Sequence, residues 1–224
     1  MDNEKEHAEA RLQDNLGQQA MQRRDFEKAL DHVTKARQIY SKVGEKENEA
    51  TQLNKMAHCL LNTNRPDEAL RTLHTTIDLL EETGNKKGMA MVLNNVGHLN
   101  VQIKRFDDAL KAFENASEIF DALGDKYGMA LQLGNMGSVC RDKAENKMAL
   151  ESYFKAISIF EEIGDKLGTA NQCANIGYIY AVDEKKDEAL TWFKKALPFY
   201  EELQRNELAA RTRQNIQNLS RSNP

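Results

Sequence analysis

One spacing constrains this chain more than any other property of it: residues of the same type return every 40 positions, with no insertion or deletion. Ala29-Leu30 returns as Ala69-Leu70, Ala109-Leu110, Ala149-Leu150 and Ala189-Leu190. Gly44 returns as Gly84, Gly124 and Gly164 before Gln204 breaks the series, and a second alanine column runs through Ala10, Ala50, Ala90, Ala130, Ala170 and Ala210. A strict period of this size marks an array whose units bury their apolar faces against one another. Five units and a short remainder occupy nearly all of the 224 residues, which favours one elongated domain over two globular ones.

Each unit reads as two antiparallel helices. In the fourth, Ala130, Leu133, Met136, Gly137 and Cys140 fall at three- and four-residue steps. A polar break over Asp142 to Asn146 separates them from a second stripe of Ala149, Leu150, Tyr153, Ala156, Ile157 and Phe160. The glycine column stands where a helix needs a left-handed residue after its last turn. Asn85, Asp125 and Asp165 follow as N-cap types, with Glu45 in the same place. Glu27, Asp67, Asp107 and Asp187 put negative charge at the start of the second helix, Lys147 being the exception, and Pro66 suits a first turn. Small residues, Gly17, Ala57, Gly97, Gly137 and Gly177 in the first helix and Ala36, Thr76, Ala116, Ala156 and Ala196 in the second, mark close approach. The bulky columns Leu16, Met56, Val96, Met136, Ile176 and Val33, Leu73, Phe113, Tyr153, Phe193 fill the spaces left. Pro198, inside the fifth second-helix, is expected to bend it.

These small and large columns resemble the tetratricopeptide repeat over residues 7–219, with a unit of 40 residues instead of the usual 34 and a Gly-Asp type turn in place of the closing proline. The long form, with an LxNxG pattern as in Leu93-Asn94-Asn95-Val96-Gly97, is similar to the repeats of kinesin light chain, of the Pins/LGN polarity adaptors and of bacterial Rap-type regulators. The resemblance implies an all-α, right-handed superhelical solenoid of five helix pairs. The expected boundaries are a polar tail at 1–6, repeats at about 7–44, 45–84, 85–124, 125–164 and 165–205, a capping helix at 206–219 and a tail at 220–224. Arg213 stands in the capping segment where Leu53, Leu93 and Leu133 stand in the repeats, as befits a terminal helix with one wet face.

A formal net charge of -4 gives no case for nucleic-acid binding through a basic field. The N-terminal residues are polar and no apolar run approaches a membrane span, so a soluble cytoplasmic protein is expected. Cys59, Cys140 and Cys173 form no CxxC pair and read as buried apolar residues in a reducing compartment. There is no P-loop, GxSxG or HExxH motif, and acidic pairs such as Glu81-Glu82, Glu161-Glu162 and Glu201-Glu202 recur as solvated faces, so neither enzyme chemistry nor a cofactor is expected.

The candidate site is a column of amides. Asn15, Lys55, Asn95, Asn135 and Asn175 repeat one residue before the Leu16 to Ile176 column, and Asn54 and Asn94 precede two of them. His58 and His98 occupy equivalent positions in consecutive units, where Ser138 and Tyr178 stand later and make a metal site improbable. By the family resemblance this part of the first helix lines a concave groove, where amides donate to and accept from the main chain of an extended peptide. The structural alternative is that the asparagines bond neighbouring repeats. The lysine of the chaperone-type carboxylate clamp has no counterpart, since Asp14, Asn54, Asn94, Gly134 and Ala174 fill that column. Trp192 is either a secondary contact patch or packs on the final helix or the Pro198 bend. The expectation is a non-enzymatic adaptor, monomeric or weakly self-associating, that binds a protein or peptide segment through Asn54, Lys55, His58, Asn94, Asn95, His98, Asn135, Asn175 and Tyr178. A peptide-responsive regulator of the Rap type and a self-assembling structural module are the alternatives.

Overall fold

The computed structural model describes residues 2–221, and among them the regular structure is entirely helical. The helices are α1 Asp2–Gln22, α2 Phe26–Lys42, α3 Lys46–Asn62, α4 Pro66–Glu82, α5 Lys86–Gln102, α6 Phe106–Ala122, α7 Lys126–Asp142, α8 Asn146–Glu162, α9 Lys166–Val182, α10 Lys186–Glu202 and α11 Asn206–Arg221. They pack in consecutive pairs, as the 40-residue period requires. Residues 2–6, read as a tail, are the first turns of α1, because nothing in that polar stretch breaks a helix. Likewise α11 runs on through Ser220 and Arg221, and 222–224 lie outside the described residues. The contacts cluster as two units divided within α6, one up to Ala112 and one from Phe113.

Three-residue connections, such as 43–45 and 63–65, join the helices. Gly44, Gly84, Gly124 and Gly164 have φ of 77, 68, 68 and 73°, the left-handed geometry expected after a helix end. The residue following each returns its N–H to the last helical turn, as Asp165 does to the Phe160 carbonyl at 2.8 Å. The next helix then starts on a side-chain cap: Asn85 accepts from Gly88 N–H, Asp125 from Gly128 and Asp165 from Gly168, whereas Glu45 caps nothing. The turns inside each pair use the same left-handed conformation at Arg24, Asn64, Lys104, Ala144 and Glu184, which no glycine announces.

Gln204 keeps the geometry of the glycine column at φ 54° and donates to Glu201 O at 3.0 Å, yet carries a Cβ. A left-handed L-residue costs about 1–2 kcal/mol, and glycine returns roughly half of that as lost unfolded-state restriction. Gln204→Gly will therefore raise stability by up to about 1 kcal/mol, read as a higher midpoint in urea unfolding.

The small and large columns meet as their spacing implies. A Cβ on Gly17 would stand 2.7 Å from Val33 Cγ1, on Gly137 2.6 Å from Tyr153 Cε1, and on Gly177 2.9 Å from Phe193 Cδ1. Tyr153 and Phe160 have no exposed surface. Cys59, Cys140 and Cys173 are buried free thiols, and burial pushes Cys59 and Cys173 up to about 11. The helix of Pro198 continues to Glu202. The Trp192 ring meets Phe154 of α8 at 5.4 Å, with the Lys195 ammonium 5.3 Å from its centre. The acidic pairs at the ends of α4, α8 and α10 are exposed, and their second members receive Lys46, Lys126 and Lys166 from the start of the same pair's first helix.

Candidate functional site

In the unit ending at Ala112, the first helices α1, α3 and α5 carry equivalent residues on one face. A cavity of about 330 Å³ opens there. Ala57, Leu61, Leu73 and Leu99 supply its apolar surface, and Asn54, Lys55, His58, Asn95, His98 and Gln102 its polar surface. Five of the nine residues singled out from the sequence are thus brought together, and the reason is geometric. His58 and His98 are one period apart on parallel helices that present the same face.

The hydrogen bonds run on a different spacing. Asn95 Nδ2 donates to Asn54 Oδ1 at 3.0 Å, and the Lys55 ammonium pairs with the Asp14 carboxylate, each bond linking residues 41 apart on successive first helices. The polar rim is therefore tied together across repeats before any ligand arrives, which holds these side chains in fixed rotamers. His58 packs edge-on against Phe26 at 5.7 Å and its Nε2 lies 3.3 Å from Asn62 Nδ2. Among the described residues no three His, Cys, Asp or Glu side chains gather as metal ligands.

Partial desolvation at the cavity rim holds the pKa of His98 below its ordinary 6.5, because it disfavours the charged imidazole, although the residue keeps much of its surface exposed. Between that value and 6.5 the unfolded chain binds the proton that the folded chain refuses, so stability falls as pH drops through this window. Wild type will melt at a lower temperature at pH 5.5 than at pH 7.5, and His98→Gln will lessen the difference. An unchanged pH dependence in that variant refutes the assignment to His98.

The unit beginning at Phe113 holds Asn135, Asn175 and Tyr178. Asn175 and Tyr178 of α9 line a second cavity, of about 430 Å³, together with Arg141 and Asp142 of α7, Phe193 of α10 and Arg211, Thr212 and Asn215 of α11. Asn175 donates to Gln172 Oε1 at 3.3 Å, and Asn135 to Gln132 Oε1 at 3.4 Å, one turn back on its own helix. Asn135 lines neither cavity, nor does Asn94 of α5. Sequence reasoning passed over Arg141 and Arg211. The available signal was that their columns otherwise hold Met21, Leu61, Val101 and Ala181, and Thr51, Met91, Leu131 and Asn171 with Arg11.

Residues 8–82, 49–122 and 88–162 match the family model described as tetratricopeptide repeat, and residues 135–223 match that of soluble NSF attachment protein, SNAP. No curated protein matches in sequence. Among solved structures, the nearly identical TPR-like repeats of a kinesin light chain from Podosopora anserina superpose with a TM-score of 0.71 at 12% identity, over 87% of this chain and 96% of that one. The STAND protein with a tetratricopeptide repeat sensor from Pyrococcus horikoshii gives 0.82 at 15% identity, and this chain covers 96% of itself but 33% of that protein. A Rap protein complexed with Competence and Sporulation Factor gives 0.64 at 15%, over 98% of this chain and 65% of the other. These identities establish a common fold. No described helix is long and apolar enough to cross a membrane.

Proposed function

Because the chain belongs to the tetratricopeptide repeat family, we propose that it is a protein-interaction scaffold that holds an extended or helical segment of a partner against the face formed by its first helices. The observation that carries this reading is the cavity of the first unit, where Asn54, Lys55, His58, Asn95 and His98 rim an apolar floor. Such a site suits a peptide: the floor takes an apolar side chain, and the amides and imidazoles meet the main chain around it. The bonds between repeats favour binding by pre-organisation, because the rim groups lose little further freedom on meeting a ligand.

Single hydrogen bonds contribute only about 0.5 to 1.5 kcal/mol net, so affinity comes from several acting together. Peptides selected from a displayed random decapeptide library on the wild-type chain will bind Asn95→Ala/His98→Ala at least tenfold more weakly, while its helicity is retained. Equal affinity for the two proteins rejects this face as the binding surface.

A further inference from the structure

The cavity of the second unit differs from that of the first in its charge. Arg141 and Arg211 face it from α7 and α11, and Asp142 is the single acidic group that lines it. Nearby basic residues are neutralised: Arg213 pairs with Glu201 at 2.6 Å, Lys143 with Glu145 at 2.9 Å and Lys195 with Glu161 at 3.0 Å. Arg211 makes no ion pair among the described residues. Arg141 is held in place from two sides, by the Asp142 carboxylate at 2.9 Å and by the Tyr178 ring, whose centre lies 5.8 Å from its guanidinium carbon. One guanidinium is thus positioned and the other unmatched, across a recess that also carries the Asn175 and Asn215 amides.

We propose that this recess binds the side-chain carboxylate of an aspartate or glutamate in the partner segment, with Arg141 and Arg211 as its cationic walls. The inference rests on the peptide-scaffold reading and adds to it the chemistry of one ligand residue. Charge balance chooses the occupant. Two arginines and one aspartate leave a single uncompensated positive charge, which a carboxylate neutralises, while a phosphate dianion overshoots it and meets Asp142. A planar guanidinium fork also matches a carboxylate in shape.

The test is selection from a random decapeptide library displayed as N-terminal fusions, in which no peptide has a free C-terminal carboxyl group or a phosphate. The targets are the full chain as wild type, as Arg211→Gln and as Arg141→Gln/Arg211→Gln, with folding checked by circular dichroism. Wild type is expected to enrich sequences with one position at which Asp and Glu together exceed their library frequency at least fivefold. Both variants should still enrich peptides but lose that excess. Enriched peptides with no acidic position, or with the same acidic position on the variants, overturn the carboxylate site and leave the scaffold reading standing. No enrichment on wild type overturns both. Synthetic peptides that bind tenfold more tightly with phosphoserine in place of the acidic residue reassign the recess to phosphate and overturn the proposal.

Discussion

Phe160→Ala will lower the free energy of unfolding by about 3 to 5 kcal/mol, the range for deleting an aromatic side chain from a packed core. The ring has no exposed surface, and Gly168 of α9 leaves room for it. A Cβ on Gly168 would sit 2.5 Å from the ring's Cδ1 and 2.6 Å from its Cγ. Tyr127 meets the ring edge-on at 6.1 Å, and Ala130 and Ala156 share its core cluster. Alanine leaves a void that Gly168, having no side chain, cannot fill, so the structure relaxes little and the cavity cost is retained. The measurement is urea unfolding followed by circular dichroism. A loss below about 1 kcal/mol means that the flanking helices close over the gap.

Gly137→Ala is the second large effect, and two terms compete in it. Alanine gains about 1 kcal/mol over glycine in a helix interior. Against this, its Cβ would stand 2.6 and 2.7 Å from Tyr153 Cε1 and Cδ1, and that ring is fully buried with its hydroxyl 3.1 Å from Ser138 Oγ. An enclosed ring cannot swing aside, and overpacking of this kind costs about 1–3 kcal/mol or more. The clash prevails, with a net loss of about 1 to 2 kcal/mol expected in the same unfolding assay. The second repeat shows the compensation: Ala57 stands at the equivalent position and shares its core cluster with Leu73, which replaces the tyrosine. Gly137→Ala/Tyr153→Leu will consequently be more stable than the sum of its two single changes predicts, and strict additivity refutes the pairing.

These two sites show how far the sequence carries. The pairing of small with large was legible because both columns repeat at one spacing, and helix ends were legible because glycine, asparagine and aspartate mark them. The glycines at 88, 128 and 168 repeat equally well, yet the aromatic that two of them admit was not traced, because it lies on the preceding helix, Phe120 before Gly128 and Phe160 before Gly168. The left-handed turns at Lys104 and Ala144 carried no signal, since an ordinary residue there is strained and nothing in its identity says so. In the candidate site, the period placed His58 with His98. It could not show the bonds between Asn95 and Asn54 or between Lys55 and Asp14, which follow the offset of neighbouring helices rather than the repeat. The contact of Trp192 with Phe154 was not legible for the same reason, because Phe154 lies outside its column. The arginine recess rests on departures from the pattern, and a reading built on what recurs passes over them.

The three-residue connections also bear on time. Within each unit the helices that pack most closely are those adjacent in the chain, with α7 and α9 also touching past α8. Forming such contacts closes only short loops, whose entropic cost is small, and chains dominated by short-range contacts fold in microseconds to milliseconds. During synthesis a helix can dock on its predecessor as soon as it emerges, so a nascent chain exposes little more than one unpaired apolar face at a time.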